Sequence, residues 1–132
     1  MQVLLEPHNY NSQALISKYY EGIQTRIDKI HDIILSNDNQ NRDNYIWPCS
    51  MHTIYLFTFG LNHLLFKNVL DNSEAKINKY LYGYNLQCKS LNELRKCADR
   101  PMTVFINGGC FNRELLCSEN ESNIKYVFLQ DL

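Results

Sequence analysis

Apolar residues recur along the first third of the chain at three- and four-residue steps: Leu15, Ile16, Tyr19, Tyr20, Ile23, Ile27, Ile30 and Ile34. This spacing predicts an amphipathic helix of about six turns at 3.6 residues per turn. The stretch His8-Asn9-Tyr10-Asn11-Ser12 supplies its N-cap residues. Its polar face carries Lys18, Glu21, Gln24, Arg26 and Asp28, which reads as a solvated surface. Ahead of it, Val3, Leu4 and Leu5 followed by Pro7 predict a short opening strand over residues 1–6.

Residues 36–44 are rich in Asn and Asp, whose side chains compete with regular backbone pairing, and predict a loop. Residues 52–60 are nearly all β-branched or aromatic and predict a central strand ended by Gly60. A buried helix is the alternative there, because Ile54, Phe57 and Leu61 also share a helical face. The mixed segment 61–71 is compatible with a strand or hairpin. Asn72-Ser73 then opens a predicted helix using Ile77, Tyr80 and Leu81, with Gly83 and Asn85 ending it. Ser90-Leu91-Asn92-Glu93 is a capping box for a short helix to about Ala98. Pro101 sets the start of a strand, Met102-Thr103-Val104-Phe105-Ile106, which runs into Asn107-Gly108-Gly109-Cys110. Residues 119–122 predict a turn, and residues 124–129 an edge strand or extended tail. Strands alternating with helices imply an α/β fold with a small, mostly parallel sheet flanked by helices on both faces.

Composition narrows the classes. A chain of 132 residues is one domain, residues 1–132, long enough to bury a core. With 45% hydrophobic residues, 20% charged residues and a net charge of −1, it gives no electrostatic reason to expect nucleic acid or an anionic membrane as partner. The nine tyrosines lack the interleaved basic residues of a nucleic-acid stacking platform and read as packing. No apolar run is long enough to span a bilayer and no signal-peptide pattern opens the chain, so a cytoplasmic location is expected. The Asn120-Glu121-Ser122 sequon carries no meaning in that compartment. Cys49, Cys88, Cys97, Cys110 and Cys117 form no C-x-x-C pair, and the four histidines all precede the midpoint. Neither a disulfide framework nor a zinc finger is written here; reduced thiols, no metal and no cofactor are expected.

The chemistry worth weighing is that of a cysteine nucleophile, which needs a neighbouring base and backbone donors for an oxyanion. Gly108-Gly109-Cys110 after one apolar strand, and His63 shortly after Gly60, supply both halves. The plain alternative is a buried small hydrophobe at Cys110 and a packed or surface histidine at His63. Trp47-Pro48-Cys49-Ser50 resembles the way papain-type enzymes place cysteine at a helix start, but no histidine follows His63 to complete that arrangement.

Gln87-Cys88-Lys89-Ser90-Leu91, followed by Asp99-Arg100-Pro101 and the strand to Asn107, resembles the caspase large subunit, with its Cys-x-Ser-Leu segment, Lys-Pro-Lys, apolar strand and Gln-Ala-Cys-Arg-Gly. Residues 54–60 resemble that family's apolar strand ending in Ser-His-Gly, and the distance from there to the thiol is about fifty residues, as the caspase signature has it. The resemblance covers residues 50–112 and requires the strand at 54–59 to lie parallel beside the one ending at Asn107. Aligned without gaps, Phe59 stands in the place of the catalytic histidine, Gly109 in that of the nucleophile and Asn107 in that of the glutamine. His63 and Cys110 are displaced from those positions by four residues and one.

The resemblance implies a partial large-subunit domain without a small subunit. It further implies a catalytically inactive pseudopeptidase that binds a caspase or its adaptor, or forms a homo-oligomer, and modulates apoptosis or immune signalling. The alternatives are an active cysteine peptidase using Cys110 and His63, and a small α/β interaction protein unrelated to caspases.

Overall fold

A computed structural model of the 132-residue chain describes residues 2–97, 99–107 and 123–132, with side chains from Gln13 onward. Five strands form one sheet: β1 (Asp43–Trp47), β2 (Asn68–Leu70), β3 (Cys88–Lys89), β4 (Met102–Ile106) and β5 (Ile124–Phe128). Their order is β3-β2-β1-β4-β5 and every pairing is parallel. The helices are α1 (Gln2–Leu35), α2 (Met51–Thr58) and α3 (Leu91–Cys97). The predicted α/β class, with its parallel sheet, is the one observed.

Side chains alternate along each strand and sort into two cores. Ile46, Val69, Cys88, Phe105 and Val127 pack on one face with Ile27, Ile30 and Ile34 of α1 and Leu56 and Phe57 of α2. Tyr45, Trp47, Leu70, Val104, Ile106 and Phe128 pack on the other with Leu91 of α3. Helices on both faces explain why β4 is buried at all five positions and reads as a continuous apolar run.

At the amino-terminal edge of the sheet a buried polar network ties four segments. Thr103 Oγ1 donates to Asn39 Oδ1 (2.7 Å) and accepts from Arg42 Nε (2.9 Å), while Asn39 Nδ2 donates to Asn44 Oδ1 (2.9 Å). Arg42 also reaches the Met102 and Asn123 carbonyls, so the loop before β1 clamps the starts of β4 and β5.

Four expectations change. The opening strand over residues 1–6 is instead part of α1, which starts at Gln2 and contains Pro7. An apolar triplet has no period of its own, and the long helix that follows takes it up. Asp43 and Asn44, expected in a loop, begin β1, because pairing with β4 on one side and β2 on the other overrides their low strand preference.

Residues 52–60 form α2 rather than a central strand. Ser50 caps it, its Oγ accepting from His52 N, and Gly60 at φ +121° ends it in a Schellman turn, with Leu61 N donating to Leu56 O (2.9 Å) and Gly60 N to Phe57 O (3.2 Å). Gly60 thus terminates a helix. The strand that lies parallel beside β4 in the centre is β1.

The helix expected after Ser73 is a single turn. Asn78 turns left-handed at φ 69°, its N–H donates to Cys88 O (2.8 Å), Lys79 O accepts from Cys88 N (2.7 Å), and Tyr80 bridges antiparallel to Gln87. Backbone bonds to β3 outcompete helix propagation, and Gly83 at φ +85° makes the return turn.

The capping box is as read: Ser90 Oγ accepts from Glu93 N (3.1 Å) at the start of α3. β5 is an edge strand, one of the two forms expected. The turn expected at residues 119–122 lies outside the described residues.

Candidate functional site

A parallel sheet offers its carboxyl-terminal edge for binding, at the point where chain connections leave in opposite directions. Here β1, β2 and β3 progress one way from the centre and β4 and β5 the other, so that point is between β1 and β4. The order matches the first five strands of the doubly wound sheet that binds nucleotides. The protein bridges its own crevice: Asn107 N donates to Trp47 O (2.8 Å) and Asn107 Nδ2 to His52 O (3.1 Å). What remains open lies to the other side, over the ends of β1 and β2.

Asp71 organises that opening. It follows β2 directly, and its Oδ2 accepts from the Cys49 N–H (3.2 Å) in the β1–α2 turn while its Oδ1 accepts from Ser73 N (3.0 Å). Lys76 Nζ neutralises it from 3.5 Å. One carboxylate therefore fixes both walls of the cleft relative to the sheet. The β1–α2 turn, Trp47-Pro48-Cys49-Ser50 with a cis Trp47–Pro48 peptide, contains no glycine. The backbone approach of a dinucleotide pyrophosphate is closed off accordingly.

Between these walls lies a cleft of about 220 Å³. Cys49, Ser50, Met51 and Ile54 line it from the start of α2; Lys76, Lys79, Tyr80 and Tyr82 line it from the opposite segment. Tyr80 and Tyr82 are exposed, so their rings are available to a planar ligand. Lys79 is exposed as well, and Ser50 caps the helix whose N-terminus opens here.

Cys49, in the cleft wall, and Cys88 of β3 are hydrogen-bonded to each other and are free thiols. Burial pushes the Cys49 thiol up, although Cys88 holds it back by donating to it. Cys88 is pushed up to about 12, first by burial and then by the charge of its neighbour. Both are protonated at neutral pH, which makes them poor nucleophiles.

The candidate dyad is placed only on its histidine side. His63 lies in the 3₁₀ turn His63–Leu65 ahead of β2, at the amino-terminal edge, with its ring against Tyr84 (5.0 Å) and Phe57 (5.9 Å). Asn107, the last described residue before the glycines, is at the carboxyl-terminal edge. Cys110 and Gly109 lie outside the described residues. Phe59 caps the end of α2, and its ring meets Tyr20 edge-on at 5.3 Å. The residue-by-residue match of 54–60 to a caspase strand is lost, because these residues are helix and turn.

The residues that shape the cleft, Asp71, Lys79, Tyr80 and Tyr82, form no site motif in the sequence. One signal for them exists: an acidic residue at the end of a short apolar segment, 22 residues beyond Cys49, is the spacing at which doubly wound sheets place a ligand-contacting carboxylate. Among the described residues no cluster of three His, Cys, Asp or Glu is arranged to hold a metal, and no helix is long and apolar enough to cross a membrane. The chain matches no protein-family model, no curated protein and no solved structure.

Proposed function

We propose that this chain is a ligand-binding α/β domain that holds a small molecule with a planar ring and an anionic group at the carboxyl-terminal edge of its sheet. The observation that carries this reading is the cleft between the α2 N-terminus and Tyr80–Tyr82, held open by Asp71. A ring lies against the tyrosines and the anion meets Lys79. At about 220 Å³ the cleft is smaller than the roughly 300–1,000 Å³ of drug-sized sites, so one ring system fits and a dinucleotide does not. The thiol in this cleft faces another thiol rather than a histidine, which favours binding over hydrolysis.

A pseudopeptidase that binds a caspase and modulates cell death rests on the resemblance of residues 87–107 alone, since residues 54–60 are helix and turn.

Calorimetric titration with adenosine monophosphate tests the proposal. The expected dissociation constant is on the order of 0.1–1 mM, weakened about fivefold or more by Tyr82→Ala and by Lys79→Ala. A folded protein that shows no heat with this probe, or binding that neither substitution changes, removes the reading.

A further inference from the structure

Among the described side chains of the 34-residue helix α1, only three near its carboxyl-terminal end are buried. Ile27, Ile30 and Ile34 are buried in the core, and Ile16, Tyr20 and Ile23 lie on the same stripe, all six within an arc of about 80° at 100° per residue. Leu15 is 64% exposed, Ile16 56%, Tyr19 69% and Tyr20 48%. The helix thus carries its apolar face beyond the surface that it covers. The surface continues onto α2: Tyr20 meets Phe59 at 5.3 Å, Phe59 stacks on exposed Tyr55 at 6.3 Å, and Gln24 Nε2 donates to Phe59 O (2.8 Å), fixing the corner between the two helices.

We infer that this corner is a homodimer interface, in which the exposed stretch Leu15–Tyr20 of α1 from one copy lies along the same stretch and the Tyr55–Phe59 corner of a second copy. Area favours it. At roughly 200 Å² for a fully exposed large side chain, Leu15, Ile16, Tyr19, Tyr20 and Tyr55 present roughly 600 Å² per copy. That reaches the top of the patch sizes found on monomers, roughly 300–600 Å². Two copies bury roughly 1,200 Å², the lower bound of a stable interface. Charge also permits it. Lys18 and Glu21, the charged residues of the stretch 13–24, cancel, so two copies approach without net repulsion, and an isologous pairing closes at two. The ligand cleft is lined by none of these residues.

Sedimentation equilibrium of the full chain from about 5 to about 200 μM tests this, since a dimer is populated by mass action. The expected mass at the upper end is twice 15.6 kDa. Ile16→Glu and Tyr19→Glu are expected to weaken association at least about tenfold. Lys18→Ala, on the opposite face, leaves it unchanged, with circular dichroism reporting the fold of every variant. A single-chain mass throughout, or a dimer indifferent to both glutamates, overturns the inference.

Discussion

The Asp71 carboxylate accepts the Cys49 N–H at 3.2 Å, joining the residue after β2 to the turn after β1 across the mouth of the cleft. Its side chain is only 14% exposed, so the bond is shielded from water. Asp71→Ala is expected to cost about 1.5–3 kcal/mol, the range for a hydrogen bond to a charged group. Asp71→Asn, which keeps an acceptor oxygen, is expected to lose less. Urea unfolding of the two variants checks the order, and equal losses would show that the acceptor does not matter.

Thr103 is fully buried and serves Asn39 and Arg42 at once. Thr103→Val keeps the shape but strands both partners, at an expected cost of about 1–3 kcal/mol. Thr103→Ser retains the hydroxyl and should recover most of that loss. A valine variant as stable as the parent in chemical denaturation would contradict the network's role.

Phe105, the fourth of the five residues of β4, has no exposed surface, and its ring is edge-on to Phe66 at 5.8 Å. Phe105→Ala is expected to cost about 3–5 kcal/mol through lost burial and a cavity. The fall in the thermal midpoint measures it, and Phe105→Leu should fall less because more volume is kept.

Alkali should unfold the domain early. Burial raises Cys88 to about 12 from 9.0 and Tyr45 to about 12 from 10.0, and it raises Cys49 too. These groups lose protons more readily in the unfolded chain, so the native state holds more protons between the two values and stability falls as pH rises through that window. Denaturation curves from about pH 8 to about pH 11 should show a steady loss beginning near pH 9, smaller in Cys88→Ala. A flat profile across that range would refute the burial of these groups.

Much of this architecture is legible in the residues. The Met102–Ile106 strand, the capping box at Ser90 and the periodic stripe through Ile34 announce themselves because each carries a local signal that tertiary contacts reinforce. Residues 52–60 mislead because aromatic and β-branched side chains suit a buried helix as well as a strand, and the deciding features are Ser50 at one end and Gly60 at the other. Residues 73–81 mislead for a different reason: their backbone is recruited by Cys88, a partner that no local pattern reveals. The cleft depends on both segments. Its tyrosines look like packing until Asn78 turns the chain and presents them at the edge.

The most direct test maps backbone amide shifts while adenosine monophosphate is added to the isotopically labelled chain. The proposed site predicts saturable shifts confined to residues 49–54, 71 and 75–82, with α1 and His63 unmoved. Saturable shifts centred elsewhere, or none on a folded protein, would contradict a ligand site at this edge of the sheet.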